Sequence, residues 1–267
     1  MTDVPTRIHP APLGMSGRLW AMLEDGEWPP DERRHLVELM RLFATLPPPP
    51  DPHRLYPRYV QLRARFLDCI EGGVDADTLE EAFLELYCHV HGHEAPYTPD
   101  ERRRVDATGG YWCHAGGLSP ILKAPPHLGP DTVACDLGAG NGLQGLLMQV
   151  LAPHRRTVQI EISHRMVEAG QALQGWLGIP GERVEWVVGD VFETHPRGMG
   201  FIYLYRPVRP EGEGARFYER FAAELAATDE PVVIFSIADC LRDYLPPDFE
   251  IFFYDGHLTC FRRLTAA

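Results

Sequence analysis

The sequence predicts an α/β protein: a mostly parallel, seven-stranded sheet with helices on both faces, ending in an antiparallel hairpin and preceded by a helical N-terminal region. Three observations carry this. Beyond about residue 130, short apolar strand segments alternate with helical ones, which implies βαβ crossovers. Before about residue 110, apolar residues recur only at helical spacing. Near the C-terminus Asp255-Gly256, a strong turn pair, separates two runs of strand-forming residues.

In the N-terminal part, Leu36, Leu39, Met40 and Phe43 share one helical face. Tyr59, Leu62, Phe66 and Ile70 form a second stripe, and Leu79, Phe83, Leu86 and Val90 a third. Asp77 followed by Glu80 reads as a capping-box variant ahead of the third stripe. Thr98-Pro99-Asp100-Glu101 supplies an N-cap, a proline at the first helical position and acids in the first turn. Prolines 47–50 and Pro52 interrupt helix and predict a stiff extended connector. Residues 1–14 carry no periodicity.

In the second part, strands are expected over residues 132–137, 157–162, 184–188, 201–205 and 231–237. Helices are expected over 142–151, 164–177 (closed by Gly178) and 215–227. The final hairpin pairs 249–254 with 258–263.

Composition narrows the function. No uncharged apolar run approaches the ~18 residues of a membrane span, and Met1 to Pro10 lacks the apolar core of a signal peptide. The six cysteines, Cys69, Cys88, Cys113, Cys135, Cys240 and Cys260, form no C-x-x-C pair and suit reduced thiols in the cytoplasm. A net charge of −13, with only short basic clusters such as Arg102-Arg103-Arg104, argues against nucleic acid and for a small-molecule substrate.

The sharpest motif runs from Val133 to Gly142, where a strand delivers Asp136 into a turn with glycines at 138, 140 and 142. A dinucleotide fingerprint would need glycine at position 143, which is Leu143. A carboxylate at the strand end repels a pyrophosphate but suits a cation, and S-adenosylmethionine carries an ammonium and a sulfonium. Glu161 ends the second strand, placed to accept hydrogen bonds from ribose hydroxyls. Asp190 follows the third, placed for an adenine amino group. Three acids at the carboxyl ends of consecutive strands mark the edge at which open α/β sheets bind ligands.

These residues resemble the class I, Rossmann-like, S-adenosylmethionine-dependent methyltransferases over residues 110–267. The resemblance implies strand order 3-2-1-4-5-7-6 with strand seven antiparallel. It implies that Asp136, Gly138, Ala139, Gly140, Asn141 and Gly142 line the methionine part of the cofactor, Glu161 the ribose, and Asp190 with Val191 the adenine. Ile162 and Met166 would supply apolar contacts to the base. On this reading residues 1–109 are a helical cap that shapes the acceptor pocket, and 110–267 form the S-adenosylmethionine domain. The expected activity is methyl transfer to a small-molecule acceptor, with no nucleic acid or membrane partner and with a homodimer allowed for.

After the fourth strand the chain reads Tyr203-Leu204-Tyr205-Arg206-Pro207, lacking the N/D-P-P-Y/F motif of many enzymes that methylate amide or amino nitrogens. Tyr205 and Arg206 offer an aromatic face and an anion clamp, or else pack the strand end. His114, within Tyr111-Trp112-Cys113-His114-Ala115-Gly116, offers a general base on a glycine-rich lid, or the segment is a packed linker. His89, His91 and His93 resemble a metal run but straddle a helix end, and no metal is expected. The competing functions are aminopropyl transfer, which the Tyr205-Arg206-Pro207 run does not suit, and a non-catalytic cofactor-binding interaction protein.

Overall fold

A computed structural model describes residues 14–24, 26–92, 96–110, 117–238 and 240–264. Five helices form the N-terminal region: α1 (Met15–Met22), α2 (Pro30–Thr45), α3 (Tyr59–Gly72), α4 (Ala76–His91) and α5 (Pro99–Thr108). The short α6 (Ser119–Lys123) leads into β1 (Val133–Leu137), α7 (Leu143–Leu151), β2 (Arg156–Glu161), α8 (His164–Trp176) and β3 (Val184–Val188). Then follow β4 (Phe201–Leu204), α9 (Glu213–Ala226), β5 (Val233–Ile237), β6 (Phe249–Tyr254) and β7 (Leu258–Arg263).

The seven strands form one sheet in the order β3-β2-β1-β4-β5-β7-β6, as the resemblance implied. β1 to β5 run parallel, and β7 enters antiparallel between β5 and β6. The order reverses at β1, whose neighbours are β2 and β4, so the crevice at its carboxyl end is the topological switch point.

Alternation along the strands sorts side chains between two faces. Ala134, Tyr203, Phe235 and Cys260 share a continuous apolar core with α1 to α4 and with α6, α7 and α8. Cys135, Leu137, Ile202, Leu204 and Ile234 pack on the other face with Phe217, Phe221 and Leu225 of α9. The three N-terminal stripes are therefore buried against the sheet's own helices, not against one another alone.

Element boundaries depart from expectation in places, each for a local reason. The cap of α4 is Asp75, whose carboxylate accepts from the Thr78 N–H at 2.9 Å, so Asp77 falls within the first turn. Thr98 and Glu101 form the reciprocal capping box of α5. Helices α1 and α6, of 8 and 5 residues, are too short to show a periodic stripe in the sequence. β4 ends at Leu204, leaving Tyr205 in the loop beyond it. The proline connector docks on α8, where the Trp176 indole N–H donates to the Pro47 carbonyl at 2.8 Å. No helix among the described residues is long and apolar enough to cross a membrane.

Trp186 of β3 locks α7 and α8 together. Its indole N–H donates to Gln174 Oε1 at 2.8 Å, and its ring lies against the backbones of Gly142 and Gly170. A Cβ at Gly170 would enter the ring's van der Waals envelope and stand 2.7 Å from the Asn141 carbonyl oxygen. Gly170→Ala is expected to destabilise the fold by about 1–3 kcal/mol, overpacking outweighing the gain in helix propensity. A urea midpoint equal to or above that of the parent chain would contradict this packing.

Candidate functional site

The turn after β1 sits at the switch point. Gly138, Gly140 and Gly142 have φ of 74°, 59° and 65°, a region in which a Cβ is strained, so glycine is required at each. The Gly138 and Ala139 N–H groups both donate to the Ile160 carbonyl of β2, at 3.0 and 2.9 Å. Leu143 is fully buried at the head of α7 and belongs to the apolar core.

Glu161 is the hub beneath this turn. One carboxylate oxygen accepts from the Gly140 N–H at 2.9 Å and the other from the Ser163 N–H at 2.8 Å, beside the cap of α8. Each oxygen keeps a further lone pair, the capacity that the predicted ribose contact requires. Burial pushes its carboxyl up to about 7, against the backbone donors that favour the charged form. Asp136 faces the α7 side of the sheet, opposite Tyr203 in the register, and burial lifts it too to about 7. A cavity of about 10 Å³, with room for roughly one water molecule, lies among Asp136, Tyr203, Gly145 and Met148.

Asp190 sits at the carboxyl end of β3 as expected. It caps its own turn by accepting from the Phe192 N–H at 3.1 Å, and its other oxygen pairs with Arg104 of α5 at 3.3 Å. Val191 is buried, Met166 packs against the Gly140 backbone, and Ile162 is half-buried just past β2. The edges of β1, β2 and β3 thus bring together all the predicted cofactor residues, with Asn141 in a different role. It is buried, and its amide donates to the Tyr56 hydroxyl at 3.0 Å and the Val90 carbonyl at 2.6 Å. It braces the turn to the N-terminal helices.

Beyond β4, Tyr205 turns toward the final hairpin, its hydroxyl 3.5 Å from His257 Nε2. Arg206 has φ 46°, and Ala238, just after β5, has φ 63°. Two strained non-glycine positions at adjacent strand ends are what a preorganised site accumulates. Pro207 packs against Gly138, bringing the loop after β4 onto the glycine turn.

Helix α5 roofs this edge. The Glu101 carboxylate accepts from the His164 N–H at 3.1 Å, Arg104 holds Asp190, and Gly110 pairs with Val208 in an antiparallel bridge. At the other side, the Gln144 amide of α7 donates to the Gly117 carbonyl at 3.4 Å and to His91 Nε2 at 3.3 Å. His114 and the rest of 111–116 lie outside the described residues, as does His93. His89 accepts from the Arg58 N–H at 3.0 Å, and no cluster of three or more His, Cys, Asp or Glu able to hold a metal occurs among the described residues.

The chain matches no family model and no curated protein. It is similar to solved structures. One is an RNA methyltransferase from Salinibacter ruber in complex with S-adenosyl-L-homocysteine, at 21% identity over 56% of this chain and 91% of that one, TM-score 0.41. Another is TrmN from Thermus thermophilus, at 16% identity over 55% of this chain and 48% of that one, TM-score 0.42. A third is an rRNA methylase from Streptococcus thermophilus, at 11% identity over 55% and 96%, TM-score 0.42.

Those names correct two expectations, the small-molecule acceptor and the exclusion of nucleic acid, because they are names of enzymes that methylate RNA. The physical fault lies in the use of net charge. A sum of −13 over the chain does not describe the charge of any one surface.

Asp136 and Glu161 both titrate above the ordinary carboxyl range, so the native state holds the extra protons. Their contribution to stability is present below the unfolded values of about 4 and is lost as pH climbs through about 7. Between about pH 5.5 and about pH 8, the melting temperature of the parent chain should therefore fall relative to that of Asp136→Asn, which removes one of the two groups. Parallel melting profiles would contradict the assignment.

Proposed function

We propose that this chain is an S-adenosylmethionine-dependent methyltransferase whose cofactor lies along the carboxyl ends of β1, β2 and β3. The observation that carries the reading is the set of three carboxylates, Asp136, Glu161 and Asp190, on consecutive strand ends around a turn that only glycines can form. The residues present fit the group. Buried oxygens face an edge with no pyrophosphate-binding glycine at position 143, and burial raises the Asp136 carboxyl, a cost that a bound cation would offset.

When bound, the cofactor supplies a methyl group on a sulfonium centre. The chain's own residues bind and orient. Asp136 holds the cationic amino-acid end, and the glycine turn lets the backbone come close to it. Glu161 accepts from the ribose, Asp190 and Val191 meet the adenine, and Ile162 and Met166 flank the base. Tyr205 and Arg206 stand at the end of β4, on the side left for the acceptor, where the strained Arg206 backbone presents both. The division into a helical cap, 1–109, and a cofactor domain, 110–267, belongs to the same proposal, as does a cytoplasmic setting, which the free thiols of Cys69, Cys88, Cys135, Cys240 and Cys260 support.

Titration calorimetry tests the cofactor. S-adenosylmethionine and S-adenosylhomocysteine should bind and NAD should not, and Glu161→Gln should weaken the binding by about 1–3 kcal/mol. Binding of NAD alone would overturn the assignment. Transfer of a labelled methyl group is assayed first on RNA, the acceptor class of the enzymes named above.

A further inference from the structure

Four oxygen-bearing side chains meet on the face of the glycine turn that α4 covers. Tyr87 of α4 is fully buried, and Tyr203 of β4 and Gln144 of α7 nearly so. The Tyr87 hydroxyl, the Tyr203 hydroxyl and Gln144 Oε1 are buried atoms with no hydrogen-bond partner among the described residues. They belong together in space. Tyr203 is the register partner of Asp136 and lines the same small cavity. Tyr87 lies within hydrogen-bonding reach of Gln144 and within electrostatic reach of Tyr205 and Asp136, and Tyr203 within electrostatic reach of Asp136 and Tyr87. Gln144 spends its amide hydrogens on His91 and on Gly117, which leaves its oxygen turned to the cluster. Tyr87 is held in place by stacking on His91, with ring centroids 5.6 Å apart.

Buried polar atoms are almost always paired, and each exception calls for an explanation, a bound partner among them. Here the unpaired atoms are all oxygens, set beside a buried carboxylate. Hydroxyl hydrogens rotate, so each tyrosine can present a lone pair. The complement of several oxygen acceptors and a carboxylate is a cation with several N–H donors, and a primary ammonium has three. The cluster adjoins the cofactor turn: Gln144 follows it at the head of α7, and Val90, between Tyr87 and His91, bonds Asn141 within it.

We propose that Tyr87, Gln144 and Tyr203, together with Asp136, receive the α-ammonium group of the cofactor's amino-acid end. Helix α4 of the N-terminal region then contributes directly to cofactor recognition. This inference rests on the S-adenosylmethionine reading and extends it to residues that no glycine-turn motif contains.

Three ligands separate the contacts in calorimetry: S-adenosylhomocysteine, its deaminated analogue that keeps the carboxylate, and 5′-methylthioadenosine, which lacks the amino-acid end. Tyr87→Phe should weaken S-adenosylhomocysteine by roughly tenfold or more, the range for a hydrogen bond to a charged group, and leave the other two unchanged. Tyr203→Phe should repeat the pattern. Because each change removes an unpaired buried hydroxyl, the ligand-free melting temperature should hold or rise. Unchanged S-adenosylhomocysteine affinity in both variants overturns the proposal. So does an equal loss for all three ligands accompanied by a lower ligand-free melting temperature, which marks a packing role. If the parent chain binds no S-adenosylhomocysteine, the cofactor reading itself falls, and this proposal falls with it.

Discussion

The carboxylate of Glu161 is the point on which the rest of the edge depends. Buried at the end of β2, it accepts from the Gly140 N–H and the Ser163 N–H, tying the turn after β1 to the head of α8. The turn could not hold its three left-handed residues against the entropy of glycine without such anchors. The Ile160 carbonyl supplies two more. From this fixed turn α7 starts in the right direction, and Asn141 reaches out to Tyr56 and Val90. The N-terminal helices, which share the apolar core of the sheet, are thus also tied by hydrogen bonds to the turn after β1.

That arrangement accounts for the unusual electrostatics. Desolvation disfavours the charged forms of Asp136 and Glu161, and neither has a basic side chain to restore the balance. Asp136 would be simpler to replace with an amide unless a cation completes it, and Glu161 unless further hydrogen-bond donors do. Asp190 differs, because its side chain keeps 15% of its surface exposed and is already paired with Arg104. Its partner lies on α5, so the roof over the edge is itself held by charge at one end and by the Gly110–Val208 bridge at the other.

Much of this was legible in the sequence, because the features involved are local. The glycine turn, the strand-end acids, the Asp255-Gly256 hairpin and the Thr98 capping box each lie within about ten residues of chain, and each has a direct stereochemical cause. What escaped depends on contacts between distant segments. Asn141 reads as a ligand residue beside the glycines, yet its partners are 85 and 51 positions away. Tyr87 lies on the same helical face as Leu79, Phe83, Leu86 and Val90 and reads there as one more core residue, since only the fold sets it beside Gln144 and Tyr203. The Asp75 cap was displaced by a nearer-looking capping box two residues on. The acceptor expectation rested on another kind of quantity, net charge, which is summed over the whole chain and carries no information about any one surface.

The central claim is that the three strand-end acids and the glycine turn form a site for S-adenosylmethionine. A crystal structure of the chain grown with S-adenosylhomocysteine tests it most directly. The account predicts the ribose hydroxyls on Glu161, the adenine against Asp190 and Val191, and the amino-acid end at Asp136 beside the glycine turn. Ligand density elsewhere on the molecule, or a ribose turned away from Glu161, would contradict it.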